Sequence, residues 1–155
     1  MSASTGRDRS IVVVGGSVAA ATATDALRAA GHDGPITVLT DEAPAPYARP
    51  PLSKAVLTGA QQPESALLPP LDPSVTLRHA RAVGLDVERS RVLLAGGEQV
   101  PYDAVLLATG ARARRLSANP HEIVLRTVDD AVALRARLPF FPWPPRNAPV
   151  KYGGA

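Results

Sequence analysis

The sequence predicts an α/β domain: a mostly parallel sheet with helices on its faces and a small antiparallel β insert. Ile11 to Val14, Ile36 to Leu39 and Asp103 to Ala108 are short, mostly apolar runs. That is the pattern of strands buried on both faces of a parallel sheet. An Ala-rich amphipathic stretch joins the first two runs into a βαβ unit. Between the second and third lie short extended runs separated by turn residues, with Gly96-Gly97 the clearest hairpin turn.

At 155 residues the chain has room for one domain with a sizeable core. Residues 1–9, M-S-A-S-T-G-R-D-R, are small and polar and read as a disordered leader. No secretory or transmembrane segment is expected, since the Ile11 to Val14 run is far too short to span a bilayer. The absence of cysteine excludes a disulfide framework and a thiolate nucleophile, and fits a cytoplasmic location. Basic and acidic residues number 17 and 14, a net +3 with the basic residues scattered, which argues against nucleic-acid binding.

The first run is followed by Gly15-Gly16-Ser17-Val18-Ala19-Ala20, to be compared with the dinucleotide turn G-x-G-x-x-G. Only the first of the three glycines stands. Gly15 has no Cβ and can make the tight turn, while small side chains at Ser17 and Ala20 let the next helix approach both a pyrophosphate and the strand. The helix N-terminus, where Ala19 also lies, supplies unpaired N–H groups and a positive dipole end for an anion. Such a turn also suits any α/β protein. Asp41 sharpens the reading, because it follows the second strand where a carboxylate can accept hydrogen bonds from a ribose. A solvated turn residue is the simpler alternative for an aspartate there.

Beyond Asp41 prolines hold the chain extended and then open a short helix with Pro50 or Pro51 near its first turn. This stretch contains R-P-P-L-S-K, Arg49 to Lys54. Following a dinucleotide βαβ unit, that motif resembles the FAD-dependent ferredoxin reductases, such as the putidaredoxin, rhodocoxin and biphenyl-dioxygenase ferredoxin reductases, of the pyridine nucleotide-disulfide oxidoreductase superfamily. The resemblance implies a Rossmann-like FAD/NAD(P)-binding fold, with FAD as cofactor, NAD(P)H as co-substrate and a ferredoxin as electron acceptor. It also implies that Arg49 contacts the phosphate or ribose region of FAD and that Lys54 lies beside the reactive part of the flavin, a catalytic placement. A cation there would stabilise the anionic reduced flavin. Read from the residues alone, Arg49 and Lys54 are also compatible with a solvated loop pair.

Pro63 to Pro73 read as a connector with at most a short helix around Glu64 to Leu68. Val75 to Arg78, Arg81 to Asp86, Ser90 to Leu94 and Glu98 to Val100 are expected to form the antiparallel insert, a β-meander. The resemblance implies a backbone contact from Ala82 to the adenine side of FAD. After the third apolar run, Ala108-Thr109-Gly110 is similar to the second fingerprint of these flavoproteins, where Thr109 and Gly110 let the backbone pass close to the cofactor. Ile123 to Leu125 are expected as a last strand. Thr127 is expected as the N-cap of a helix with Asp130 at its third position. L-R-T-x-D-D also matches the family pattern and makes Arg126 a cofactor contact, although solvent exposure at a helix start explains it as well. His32, His79 and His121 lack metal-ligand spacing, so no metal site is expected.

The resemblance covers Ser10 to Leu138, the expected FAD-binding domain. Residues 139–155 hold four of the six aromatics and five of the 16 prolines, without helical or strand periodicity. They are expected to be a disordered tail foreign to the domain, from a frameshift or altered gene end. The NAD-binding and C-terminal domains of the resembled enzymes are then missing, and catalysis by the chain alone is left open. Two other classes stay in view. An ordinary single-domain NAD(P)-dependent dehydrogenase should carry Tyr and Lys four apart on a helix, and Tyr47, Tyr102 and Tyr152 have no such partner. A non-catalytic remnant or interaction module would expose the apolar surface its lost domains once covered. Oligomeric state is left open.

Overall fold

The computed structural model of the chain describes residues 7–43, 45–119 and 122–138. The expectations placed on residues 1–6 of the leader, on His121 and on the 139–155 tail, Tyr152 included, lie outside the described residues. The chain divides into two compact units, Met1–Ala48 with Ala66–Arg112 and Arg49–Ser65 with Ala113–Ala155.

In the first unit, β1 (Ile11–Val14), α1 (Val18–Ala29) and β2 (Ile36–Thr40) form the expected βαβ unit. β1 pairs in parallel with β2 on one side and with β7 (Ala104–Leu107) on the other. β3 (Val75–His79) pairs in parallel with β2, giving the order β3-β2-β1-β7. This corrects the expectation that Val75 to Arg78 begin the antiparallel insert. Val75, at 9 % exposure, is buried with Val13, Ala20, Ile36 and Val38, and that burial draws the run onto the parallel sheet. The insert proper is β4 (Ala82–Asp86), β5 (Arg91–Leu94) and β6 (Gln99–Pro101). Its β5–β6 turn closes with Leu94 N–H donating to the Glu98 carbonyl at 2.9 Å, and Gly97 supplies the left-handed residue, φ +82°.

Alternation along the strands sorts the core into two layers. Val12, Val14 and Leu39 point to one face and bury against Val92 and Leu94 of the meander. Val13, Ile36 and Val38 point to the other, where Ala20 and Leu27 of α1 cover them. The meander thus covers one face of the sheet and α1 the other, which is why β1 and β2 read as nearly continuous apolar runs. Two polar contacts pin the frame. The Asp103 carboxylate accepts from the Ser10 N–H at 2.7 Å and hydroxyl at 3.0 Å, aligning the starts of β7 and β1. Arg78 and Glu98 form a bidentate ion pair between β3 and the meander turn.

In the second unit a wide turn, Leu52–Val56, starts after Pro51 and has the i to i+5 hydrogen bonds of a π-helix, Val56 N–H to Pro51 O and Leu57 N–H to Leu52 O, both 3.1 Å. It packs against α2 (Val128–Arg137), with Leu52, Val56 and Ala131 buried. A one-turn 3-10 helix, Pro63–Ala66, begins one residue before the helix expected at Glu64 and ends two before it. Ile123 to Leu125 form no strand. No neighbouring strand among the described residues offers them a hydrogen-bond ladder, and Ile123 is exposed.

α2 begins with the expected reciprocal cap: Thr127 Oγ1 accepts from the Asp130 N–H at 3.1 Å, and Asp130 Oδ2 accepts from the Thr127 and Arg126 N–H groups at 2.8 and 2.9 Å. Partial burial of Asp130 opposes its ionisation, but these bonds and the positive charge of Arg49 outweigh it and hold the carboxyl below the ordinary carboxylate range. The native state is therefore favoured by the ionised group. That stabilisation is complete above the unfolded value, near pH 4, and fades as pH falls through the depressed native value. Thr127→Ala is expected to lower stability by about 1 kcal/mol in urea unfolding at pH 7. Asp130→Asn is expected to lower it as well, with the difference from wild type closing as the pH falls to about 2.

Candidate functional site

All four strands of the parallel sheet end on the same edge, and the chain leaves β1 toward β2 but returns to β7 on its other side. The carboxyl ends of β1 and β7 therefore flank a topological switch point, the position where open α/β sheets bind ligands. Gly15 lies there. It has φ +123°, and a Cβ on it would sit 2.1 Å from the Ala108 carbonyl oxygen and 3.2 Å from the Thr109 nitrogen. Gly16 is constrained by packing alone, because a Cβ would meet the Thr40 side chain, Oγ1 at 2.6 Å. The two glycines are thus required first by the close approach of the strand ends to one another.

Ser17 is the N-cap residue of α1 by backbone conformation, yet its side chain makes no capping bond. Its hydroxyl instead donates to the Tyr47 carbonyl at 3.0 Å. The N–H groups of Ala19 and Ala20, which a serine cap would serve, have no acceptor among the described residues. At the third glycine position of the fingerprint, Ala20 is 1 % exposed and packs on the sheet, so its methyl group is accommodated. An exposed helix start, two backbone donors and the positive dipole end meet at the switch point, an arrangement suited to a phosphate.

Asp41 directly follows β2 and is exposed on this same edge. The structure adds three neighbours that the motifs did not single out. Glu42 donates its N–H to Thr40 Oγ1 at 3.2 Å, and its carboxylate accepts from the hydroxyl of the buried Tyr47. His79 ends β3 with Nδ1 3.1 Å from the Glu42 carbonyl oxygen. The sequence signal for Tyr47 was an aromatic residue inside a proline-rich stretch; for His79 there was none until β3 was placed beside β2. Thr109 and Gly110 are exposed beyond β7, with Gly110 at φ +69°. Ala82 heads β4 opposite Leu94, half-buried against the core.

The second unit carries the remaining expected site residues. Arg49 is half-buried and donates from Nη1 to the Arg126 carbonyl at 2.8 Å, joining the R-P-P-L-S-K motif to the start of α2. Arg126 is also half-buried, and its N–H is taken by Asp130. Lys54 is exposed, and its backbone, at φ −123° and ψ −105°, leaves the helical region in the middle of the wide turn. Among the described residues no group of three or more metal-ligating side chains occurs, and no helix is long and apolar enough to cross a membrane.

Fold and switch-point geometry together define a dinucleotide-binding α/β domain. The sequence profile of the pyridine nucleotide-disulphide oxidoreductase family matches residues 9–139, and the chain belongs to that family. It is 40 % identical over 141 residues to a rubredoxin-NAD(+) reductase of Pseudomonas putida, covering 83 % of this chain and 36 % of that protein. It is 38 % identical over 136 residues to the ferredoxin–NAD(+) reductase component of the biphenyl dioxygenase system of Paraburkholderia xenovorans, covering 83 % of this chain and 33 % of the relative. The crystal structure of the covalent putidaredoxin reductase–putidaredoxin complex superposes with a TM-score of 0.74 at 32 % identity, over 83 % of this chain and 34 % of that one. The chain spans about a third of the length of the curated relatives it matches. Ferredoxin reductases of this family bind FAD and use NAD(H) as co-substrate.

Gly15→Ala tests the geometry of the turn. Its left-handed backbone and the Ala108 carbonyl both oppose a methyl group, so urea unfolding is expected to show a loss of more than about 2 kcal/mol.

Proposed function

We propose that this chain is an FAD-binding portion of a flavoprotein NAD(P)H:ferredoxin reductase. The observation that carries the reading is the turn at Gly15 to Ala20, where an uncapped helix N-terminus lies at the switch point of a parallel sheet. These residues fit the adenosine diphosphate end of FAD. The N–H groups of Ala19 and Ala20 would hold the pyrophosphate, and the Asp41 carboxylate would accept from the ribose hydroxyls.

Arg49, Lys54, Ala82, Thr109, Gly110 and Arg126 are proposed as further cofactor contacts on the strength of the family motifs. Lys54 is the proposed catalytic residue. Its exposed ammonium would stabilise negative charge on a reduced flavin. When bound, FAD supplies the redox chemistry, passing electrons from a nicotinamide cofactor toward an iron–sulfur protein. Transfer to a ferredoxin or rubredoxin is a proposal for the whole protein, supported by the names of the relatives. A cytoplasmic location, favoured by the lack of cysteine, belongs to the same proposal.

Titrating the purified chain into FAD tests the reading. Quenched or shifted flavin fluorescence, with the visible band of bound flavin, is the expected result; unchanged fluorescence with a folded chain would refute it. Asp41→Ala is expected to weaken FAD binding by roughly 1 to 3 kcal/mol in the same titration. An unchanged affinity would remove Asp41 from the site.

A further inference from the structure

On the reading that the glycine turn and Asp41 hold the adenosine diphosphate end of a flavin, we propose that Tyr47 and Glu42 are positioning residues. They form a strut that fixes the distance between those two anchors and so makes the site prefer a nucleoside diphosphate to a bare diphosphate. Tyr47 is 3 % exposed, although it lies in a proline-rich stretch outside any helix or extended strand. Its position is set by its contacts. The flanking backbone is tied down by two hydrogen bonds of 2.8 Å, Ala48 N–H to the Ala66 carbonyl and Leu68 N–H to the Pro46 carbonyl.

From this fixed point Tyr47 reaches both anchors. Its carbonyl accepts from Ser17 Oγ, which ties it to the phosphate turn, and the serine makes no capping bond to α1. Its hydroxyl donates to the carboxylate of Glu42, the residue next to Asp41. Glu42 in turn donates its N–H to Thr40 Oγ1, and the Thr40 side chain lies against Gly16. Traced through Gly16, Thr40, Glu42, Tyr47 and Ser17, the contacts close on themselves.

A closed circuit of this kind holds the acidic segment after β2 at one spacing from the turn. A ligand that touches both ends gains from that preorganisation, because less freedom is lost on binding. A ligand that touches only the turn gains nothing from the Asp41 end. The strut should therefore matter for ADP and not for inorganic pyrophosphate.

Calorimetric titration of the full chain with ADP, and with pyrophosphate in competition with ADP, tests the strut. Tyr47→Phe keeps the buried ring and loses only the bond to Glu42; Glu42→Ala removes the same bond from a half-exposed position. Each is expected to weaken ADP roughly fivefold to thirtyfold, with pyrophosphate changed by less than about twofold. The double variant should be no weaker than either single one. Glu42→Gln, which retains an acceptor, should restore most of the ADP affinity.

Unchanged ADP affinity in both single variants would overturn the proposal, as would an equal loss for ADP and pyrophosphate accompanied by a lower melting temperature. Should Tyr47→Phe fail to fold, the Glu42 pair decides alone. Wild-type chain that binds neither ADP nor FAD would overturn the flavin reading and the strut with it. Wild-type chain that binds both, beside variants that bind them equally well, would overturn the strut only.

Discussion

The close approach of Gly15 to the end of β7 is the constraint on which the rest of the molecule depends. With any side chain at this position, a Cβ would lie far inside the contact distance of the Ala108 carbonyl, and β1 and β7 could not end side by side. Their parallel pairing places the switch point between them, and α1 leaves β1 directly at that point. A single missing methyl group thus links the order of the strands to the place where a ligand can be held.

Around this turn the structure arranges polar groups by denying them their ordinary local partners. A serine at a helix start normally caps it. Here Tyr47 takes the Ser17 hydroxyl, and two backbone donors of α1 are left without a protein acceptor. Leaving such groups without a protein partner costs stability, and on the proposed reading an anion at the helix start would offset that cost. Asp130 shows the opposite use of a helix start: a reciprocal capping box from within the chain closes the beginning of α2, so its N-terminus serves the fold.

Much of the scaffold was legible in the sequence because it is encoded locally. The β-branched run Ile11 to Val14 and the mostly apolar run Ile36 to Leu39 gave β1 and β2, Gly96-Gly97 gave the meander turn, and Thr127 with Asp130 gave the capping box, each from residues close in sequence. β3 was misread because the choice between a parallel edge strand and a hairpin strand is made by burial of Val75 against distant residues, which local alternation does not reveal. Ile123 to Leu125 look like a strand in isolation, yet a strand exists only where a partner completes its hydrogen bonds. At the proposed site, the Gly15 turn and the position of Asp41 after β2 could be read from spacing. The contacts of Tyr47 with Ser17 and Glu42, and of His79 with Glu42, span up to 37 residues and belong to the folded state alone.

Membership in the pyridine nucleotide-disulphide oxidoreductase family and the switch-point geometry converge on one surface, the carboxyl edge of the parallel sheet at Gly15 to Ala20. The most direct test of that claim is the amide spectrum of isotope-labelled chain on addition of ADP, by nuclear magnetic resonance. The account predicts that the amide resonances of Gly16 to Ala20, together with that of Asp41, move in proportion to occupancy. Saturable binding that leaves the Gly16 to Ala20 amides unmoved would contradict it.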